Sequence, residues 1–267
     1  MKIDGEMLYH LAFADDILLL ANSSRSLESM LAKVYSETEK IGLKIHSGKT
    51  QWMTNQIQNA QNTTVKLNGQ AISQVHEYKY LGQILAPNGD MLKEINSRVK
   101  SGWAACKRIE TALTSNQVPK TIKANLFNTN ILPALTYASE TWSTTQNAEN
   151  KIRTAQRAME RRITKISKRQ HVRSSVIREK TCVKDAVEYI YQTKHRWAGH
   201  VARLNDNRWT LRTTCWHPYN HTRKKGRPNL RWEDPLRAKF GRTWTRIAMD
   251  RNVWRENGDG LHQWRST

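Results

Sequence analysis

Apolar residues surround two adjacent acidic residues near the start of the chain. Residues 8–21 are mostly apolar, and the pair Asp15-Asp16 lies in the middle of the run. Two short strands with a tight turn at Ala14-Asp15 fit this pattern and would place both carboxylates at the tip of a β-hairpin. Because burying ionised carboxylates among apolar residues costs several kcal/mol, a cation is expected to compensate them. The pair is a candidate site for a divalent metal, although aspartate is also a common turn residue.

A helix and further strands are predicted over the rest of the first 85 or so residues. Apolar residues between positions 27 and 41 recur at helical spacing, and Gly42 ends the run. Residues 43–53 are typical of a turn that leads into an edge strand. Asn68-Gly69, between two short apolar runs, predicts a hairpin with a type I′ turn, and residues 78–82 predict another strand. Together these segments predict a small antiparallel sheet with one helix.

The pattern becomes helical from Asp90 onward. Residues 95–109 fit one amphipathic helix. Pro119 is a plausible first residue of a second helix, which is expected to end near Pro133. A third helix is predicted over residues 148–166, with four arginines on its polar side: Arg153, Arg157, Arg161 and Arg162.

The positive charge of the chain is concentrated after residue 100. Of the formal net charge of +21 over 267 residues, residues 1–100 contribute 11 Lys and Arg against 10 Asp and Glu, whereas residues 101–267 contribute 33 against 13. An excess of this size repels itself unless a polyanion is nearby. The charge therefore favours nucleic acid as partner over an anionic membrane or a small acidic substrate.

The cysteines and the apolar runs limit the compartment and the metal chemistry. Cys106, Cys182 and Cys215 are too few and too scattered for a disulfide framework, so we expect a reducing compartment, nuclear or cytoplasmic. The longest purely apolar run, residues 17–21, is too short to span a bilayer, and no membrane partner is expected. The cysteines also lack the paired spacing of a zinc knuckle.

The last hundred residues combine tryptophan with arginine. Arginine can contact phosphates and tryptophan can stack on bases, but each tryptophan is more simply explained as part of a helical core. The segment contains seven tryptophans: Trp197, Trp209, Trp216, Trp232, Trp244, Trp254 and Trp264. A loop with four cations is the candidate for phosphate contact: Arg223, Lys224, Lys225 and Arg227.

Several motifs in order resemble the C-terminal portion of reverse transcriptases of non-LTR (LINE-type, RTE-like) retrotransposons. The resemblance covers nearly the whole chain. It begins at Phe13-Ala14-Asp15-Asp16 and continues through Gly42-Leu43, Lys49-Thr50 and Tyr80-Leu81-Gly82. Later segments that match are residues 132–137, Glu140-Thr141-Trp142, residues 197–203, Gly226-Arg227-Pro228 and residues 231–234.

The resemblance implies a role for each of these residues. Asp15 would be the principal ligand and Asp16 the supporting ligand of two Mg²⁺ ions that activate the primer hydroxyl and stabilise pyrophosphate. Lys49 would assist the leaving pyrophosphate, although it could equally be an exposed strand lysine. Tyr80-Leu81-Gly82 would form a primer grip, where glycine lets the backbone approach the primer. RNA and DNA would be the partners, with a deoxynucleoside triphosphate as substrate only if the missing polymerase half is supplied.

The same resemblance implies that part of the polymerase is missing. Two-metal catalysis of this kind needs a further aspartate from an earlier strand, together with fingers that hold the template. The only aspartate before Asp15 is Asp4, which precedes a glycine on the way into the same hairpin. We therefore expect a truncated RNA-directed DNA polymerase that is inactive in isolation. A non-catalytic nucleic-acid-binding protein that uses the basic tail is the alternative.

The expected fold is α+β in three parts. Residues 1–88 would form a partial reverse-transcriptase palm, with a small antiparallel sheet and one helix. Residues 89–170 would form a helical, thumb-like region. Residues 171–267 would form a basic, mainly helical region, rich in tryptophan and arginine, that binds nucleic acid.

Overall fold

A computed structural model describes residues 2–55, 63–87, 89–206, 208–216 and 230–265. The chain divides into two compact units, one made of Met1–Asp90 with Arg212–His221 and the other of Met91–Leu211 with Thr222–Thr267. The first unit holds all the described strands, and the second is helical. The expected α+β class is therefore confirmed.

The strands of the first unit form separate ribbons, which corrects the prediction of one small antiparallel sheet. Each described strand pairs with one neighbour only, in the order β1-β2, β3-β4, β5-β8, β6-β7 and β9-β10. The β5-β8 pair is parallel and the other four are antiparallel. The strands are β1 Lys2–Ile3, β2 Glu6–Met7, β3 His10–Phe13, β4 Asp16–Leu19, β5 Gln51–Trp52, β6 Lys66–Leu67, β7 Gln70–Ala71, β8 Ser73–Gln74, β9 Tyr78–Tyr80 and β10 Gln83–Leu85.

Local turn chemistry explains why these ribbons form. Asp4-Gly5, Asn68-Gly69 and Leu81-Gly82 each join two strands, and all six residues have positive φ angles. Two consecutive residues with positive φ make the type I′ turn, whose twist matches that of the flanking strands. The predicted Asn68-Gly69 hairpin is confirmed. Because such a turn fixes only the two strands that it joins, the ribbons need no wider sheet to form.

One helix and a small apolar core support the ribbons. Helix α1, Ser24–Lys40, begins where the Ser23 side chain accepts a hydrogen bond from the backbone N–H of Ser26. The helix ends at Lys40, before Gly42, as predicted. A Glu28 side-chain oxygen accepts a hydrogen bond of 2.8 Å from the backbone N–H of Lys66, which ties α1 to β6. The buried core residues of this unit are Leu31, Trp52, Val65, Leu67 and Ile72.

The second unit is built from helices joined by short connections. None of the helices within the described ranges is long and apolar enough to cross a bilayer. The helices after α1 are α2 Met91–Arg108, α3 Glu110–Thr114, α4 Lys120–Leu126, α5 Leu132–Leu135, α6 Gln146–Thr164, α7 Ser174–Thr181, α8 Ala186–Ala202, α9 Trp209–Cys215, α10 Asp234–Phe240, α11 Trp244–Met249 and α12 Arg251–Glu256. Of these, α9 has residues in both units, because the first unit includes Arg212–His221. Single 3₁₀ turns lie at Ser139–Thr141, Lys168–Gln170 and Leu261–Gln263.

The helical run that starts after Pro119 ends at Leu135, close to the predicted end near Pro133, and it includes the proline. Helix α4 passes into a π-helical segment, Phe127–Ile131, which leads directly into α5. A proline inside an α-helix collides with the carbonyl four residues earlier and cannot donate to it. A π-helical turn widens the helix just before that point, so the chain remains helical through Pro133 to Leu135.

One apolar core runs through the helical unit. Its buried residues extend from Ile95 on α2 to Leu261 near the C-terminal end, and they include Trp142, Trp244 and Trp254. The core therefore contains residues of both the predicted thumb-like region and the predicted basic region. The division of functions between those two regions stays a prediction.

Four buried glutamates hold the helical unit together. Glu94 pairs with Arg98, Glu160 with Arg178, and Glu233 with Arg237. Glu149 accepts a hydrogen bond of 2.7 Å from the Tyr191 hydroxyl, and it pairs with Arg153 and Arg265. Glu149 and Glu160 have partners on other elements, so these two glutamates fix the packing of separate segments.

A buried lysine connects three segments at the centre of this unit. The Lys194 side chain is completely buried on α8, and its ammonium donates hydrogen bonds to the backbone carbonyls of Trp142 and Trp232. Burial lowers the pKa of Lys194 to about 7, because the charged form loses its water. A buried carbonyl that lacks a hydrogen-bond donor is costly, so these bonds stabilise the packing around Lys194.

Replacing Glu149 with glutamine should destabilise the helical unit. Glu149→Gln removes the charge that compensates Arg153 and Arg265, and we expect a loss of about 3 kcal/mol in the free energy of unfolding. The measurement is urea unfolding at neutral pH. Glu179→Gln, at an exposed position on α7, is the matched control and should change stability little. Equal stability of the two variants would contradict the structural role of Glu149.

His195 should make the fold sensitive to acid. Its ring is buried and stacked on Trp254 with 4.1 Å between ring centroids, and its Nε2 atom has no hydrogen-bond partner among the described residues. Burial, and then the nearby charge of Lys239, lowers the pKa of His195 from 6.5 to about 4. Protonation therefore favours the unfolded chain between these two pH values.

The stability supplied by neutral His195 is present above about pH 6.5 and is lost as the pH falls towards 4. His195→Phe keeps a stacked ring without a titratable nitrogen, so it should remove roughly 2–4 kcal/mol of the acid-induced loss. Urea unfolding at several pH values measures this difference. His200→Gln, at an exposed position on the same helix, should leave the pH profile unchanged. An unaltered profile in His195→Phe would show that another group is responsible.

Candidate catalytic hairpin

The two aspartates lie at the tip of the β3-β4 hairpin, as the sequence predicted. Strands β3 and β4 pair from His10 opposite Leu19 to Phe13 opposite Asp16. Ala14 and Asp15 form the turn, and Ala14 has a φ of 50°, which is unusual for a residue other than glycine. Both carboxylates are exposed. The hairpin therefore presents two adjacent carboxylates to solvent on a hydrogen-bonded support.

The residues predicted as a primer grip form the tip of a second hairpin. Leu81 and Gly82, with φ angles of 47° and 82°, make the turn between β9 and β10. This corrects the prediction that residues 78–82 form one strand. The two consecutive positive φ values explain the difference, because they reverse the chain immediately after Tyr80.

The structure brings Tyr80 into the electrostatic range of Asp16. Burial, followed by the negative charge of Asp16, raises the pKa of the Tyr80 hydroxyl. The tips of two hairpins that are more than sixty positions apart in the sequence therefore approach each other within the first unit.

Lys49 lies in a compact turn before β5. The backbone N–H groups of Lys49 and Thr50 both donate to the His46 carbonyl over 3.0 Å, and the Thr50 hydroxyl donates to the same oxygen over 3.0 Å. A Cβ atom on Gly48 would lie 3.2 Å from the His46 ring. The Lys49 side chain is exposed and contacts neither aspartate in the described part of the chain. Its role at the site stays a prediction.

The donor atoms of the site fit Mg²⁺ in kind. Mg²⁺ prefers carboxylate oxygens and is usually held by one or two carboxylates together with water and substrate phosphates. Asp15 and Asp16 supply two such groups on one turn. No cluster of three or more His, Cys, Asp or Glu side chains suited to a metal occurs within the described ranges. Asp4 lies in the turn of a different hairpin, β1-β2, rather than on the lead-in to β3.

The hairpin carries apolar side chains that face solvent. The exposed fractions of Tyr9, Phe13 and Ile17 are 52%, 64% and 48%. In the described chain, β3 and β4 pair only with each other, so the outer edge of each strand has free backbone donors and acceptors. Exposed apolar residues beside an unpaired strand edge form a surface that another segment can cover.

The candidate nucleic-acid contacts near the C-terminal end are seven tryptophans, which are buried or half-buried, and four cations, which lie outside the described residues. Trp244 and Trp254 are buried, and Trp232 and Trp264 pack against the same core, so these four tryptophans are structural. Trp197, Trp209 and Trp216 are half-buried. The predicted phosphate-contact residues Arg223, Lys224, Lys225 and Arg227 lie outside the described residues.

Two features of the site could not be found from the sequence. The approach of Tyr80 to Asp16 depends on how separate ribbons pack, which no spacing in the sequence encodes. The exposure of Phe13 and Ile17 was also missed, because alternation of apolar residues predicts burial without naming the segment that covers them. One sequence feature did point to a covering segment: no third carboxylate lies near Asp15-Asp16 in the sequence.

The family of the chain follows from comparison with known proteins. Residues 2–85 match the family model described as reverse transcriptase (RNA-dependent DNA polymerase). A transposon-derived protein of Caenorhabditis elegans is 33% identical over 274 residues, which cover 95% of this chain and 96% of that protein. The chain belongs to the non-LTR retrotransposon reverse transcriptases. No solved structure matches this reverse transcriptase significantly.

A second relative extends the comparison beyond the catalytic hairpin. The RNA-directed DNA polymerase from the mobile element jockey of Drosophila funebris is 29% identical over 170 residues. The alignment covers 60% of this reverse-transcriptase chain but only 18% of the jockey protein. The family-model match contains Asp15, Asp16, Lys49 and Tyr80, so each of these residues lies within the reverse-transcriptase homology.

Proposed function

We propose that this chain supplies the aspartate hairpin and the nucleic-acid-binding helices of an RNA-directed DNA polymerase, and that it polymerises only with a further palm strand and fingers. The observation that carries the proposal is the exposed Asp15-Asp16 tip inside a reverse-transcriptase homology. Polymerases of this family generally use Mg²⁺. The apolar hairpin surface of Tyr9, Phe13 and Ile17 is suited to contact the added strand.

In the assembled polymerase, the two carboxylates would share the work of holding metal. Asp15 would be the principal ligand of Mg²⁺, and Asp16 would support it from the first residue of β4. Bound Mg²⁺ would neutralise phosphate charge and favour attack by the primer hydroxyl on a deoxynucleoside triphosphate. Tyr80, Leu81 and Gly82 would hold the primer backbone beside the aspartates, and Lys49 would contact the departing pyrophosphate.

Binding of RNA and DNA without catalysis is the second candidate function. The uneven charge favours it, since residues 101–267 hold 33 Lys and Arg against 13 Asp and Glu. A protein with this excess can bind nucleic acid whether or not the aspartate site is completed. The two candidates differ in one requirement, because only the polymerase needs Asp15.

Primer extension tests the polymerase proposal. The purified chain should not extend a primer on an RNA template with Mg²⁺ or Mn²⁺. Addition of the upstream palm strand and fingers of a related polymerase should restore extension. In that mixture Asp15→Asn should lower the rate at least roughly 100-fold, because a ligand of the metal is lost.

The control for this experiment is Asp4→Asn, which removes an exposed aspartate from the neighbouring β1-β2 hairpin. It should leave the restored extension unchanged. Robust extension by the chain alone that disappears in Asp15→Asn would show that the site needs no further strand. Restored extension that survives Asp15→Asn would exclude the assigned catalytic role.

Substitution of the four-cation loop tests the binding proposal. Replacing Arg223, Lys224, Lys225 and Arg227 with alanine should weaken binding uniformly across sequences. It should also reduce the salt dependence by about 0.7–0.9 logarithmic units for each lost phosphate contact. Fluorescence anisotropy over a range of salt concentrations measures both effects. Unchanged affinity and unchanged salt dependence would exclude the loop as a phosphate contact.

A further inference from the structure

A basic surface lies on the helical unit, well before the four-cation loop in the sequence. Residues 165–184, together with Arg157 on α6, are called the basic strip here. Residues 165–184 contain seven Lys or Arg and one acidic residue, Glu179. Six of those seven cations, and Arg157, are exposed. The exposed cations are Arg157, Lys165, Lys168, Arg169, Arg173, Lys180 and Lys184.

The cations of this region form two groups: arginines that bind other groups of the protein, and exposed cations that have no ion-pair partner among the described acidic residues. Arg178 pairs with Glu160 and Asp185, Arg162 pairs with Glu110, and Arg161 donates to the carbonyls of Ser167 and Val172. These contacts neutralise the neighbouring acids and fix the strip against α6. In contrast, the seven exposed cations form no ion pair with any described acidic side chain. Their charge is therefore available to a ligand.

A cleft in the strip gives this charge a concave surface. Its volume is about 720 Å³. Hydroxyl and guanidinium donors of Arg157, Ser174, Ser175 and Arg178 line one part of it, and Glu179, Cys182, Val183 and Asp185 line the rest. The Asp185 carboxylate is already paired with Arg178. Phosphate oxygens accept hydrogen bonds from hydroxyl and guanidinium groups. The cleft belongs to one rigid arrangement, because the pair of Arg178 and Glu160 joins α7 to α6.

The strip lacks the large aromatic side chains on which bases stack. No Phe, Trp or Tyr occurs between Trp142 and Tyr189 in the sequence, and the one aromatic ring of the strip is that of the exposed His171. Proteins that hold single-stranded nucleic acid without sequence preference stack successive bases on aromatic side chains. A surface made chiefly of cations and hydroxyls is suited to the backbone instead. The composition favours a duplex, whose bases are already stacked and whose phosphates are dense.

We propose that the basic strip binds the sugar–phosphate backbone of double-stranded nucleic acid without reading its sequence. The proposal extends the proposed function, since a polymerase on an RNA template produces an RNA–DNA duplex. It does not depend on the aspartate hairpin, and it adds a surface to the four-cation loop. The strip should bind DNA duplex and RNA–DNA hybrid more tightly than a single strand of equal length.

The experiment compares two triple variants of the full chain that lose the same charge. Arg157→Gln, Arg169→Gln and Arg173→Gln together remove three cations of the strip. Arg242→Gln, Arg246→Gln and Arg251→Gln remove three exposed arginines elsewhere on the helical unit. The probes are a fluorescent RNA–DNA hybrid, a DNA duplex and a single strand of equal length. Anisotropy is recorded over a range of salt concentrations, and thermal melting confirms that each variant is folded.

The strip variant should bind the hybrid roughly 100-fold more weakly at about 0.1 M salt, and its salt dependence should fall by about 2–3 logarithmic units. The control should lose less than about threefold, since its arginines would make no phosphate contact. A second strip variant, Lys168→Gln with Lys180→Gln and Lys184→Gln, should show the same loss. If one strip variant fails to fold, the other decides the result.

Three outcomes would overturn the proposal. These are equal losses in strip and control variants, tighter binding of the single strand than of the duplex, and binding of the strip to vesicles of anionic lipid in place of nucleic acid. The proposed polymerase can fail independently. If primer extension is not restored while the strip variants still lose duplex binding, the polymerase proposal alone is wrong. If extension is restored and duplex binding survives both strip variants, only the strip is wrong.

Discussion

The helical unit depends on buried carboxylates that are compensated by arginine. Glu94, Glu149, Glu160 and Glu233 are all at least nine-tenths buried, and each pairs with at least one guanidinium. A buried carboxylate without a partner is costly, so removal of either member of a pair destabilises the fold. Two of the pairs, Glu149 with Arg265 and Glu160 with Arg178, join separate elements and restrict how they pack, whereas Glu94 with Arg98 and Glu233 with Arg237 are four residues apart.

This use of glutamate explains how a strongly basic chain folds and keeps a basic surface. The chain has 44 Lys and Arg but only 23 Asp and Glu. Four of these acids are buried against arginines such as Arg98 and Arg178, and others pair with surface cations such as Arg162 and Arg208. Most of the excess cations face solvent, where a polyanion can supply the missing counter-charge. The same distribution of carboxylates therefore serves the core and leaves a basic surface.

The sequence predicted local structure more accurately than the way the pieces assemble. Asn68-Gly69, the Asp15-Asp16 hairpin and helix α1 were predicted because turn chemistry and helical spacing act over a few residues. The single antiparallel sheet was wrong, because which strands pair depends on contacts beyond each turn. The parallel pairing of β5 with β8 is an example, since the two strands are more than twenty positions apart.

The error at Tyr80-Leu81-Gly82 has another cause. Two consecutive positive φ angles turn the chain at Leu81-Gly82, so one strand was predicted where the backbone makes a hairpin. The end of the helical run near Pro133 was predicted, but the π-helical segment before the proline was not. Of the candidate site, the position of both aspartates was predictable. The electrostatic influence of Asp16 on Tyr80 was not, because it depends on how two separate ribbons pack.

The exposure of the candidate hairpin agrees with the proposal of a site that is assembled from more than one segment. Two carboxylates at one exposed tip repel each other, and the hairpin tolerates them because water screens their charge. In the proposed polymerase, the aspartates would need a drier and shaped cavity for effective two-metal chemistry. Covering Phe13 and Ile17 with another strand would therefore do two things at once. It would remove apolar surface from water, and it would place the aspartates in a less solvated setting where a metal binds them more strongly.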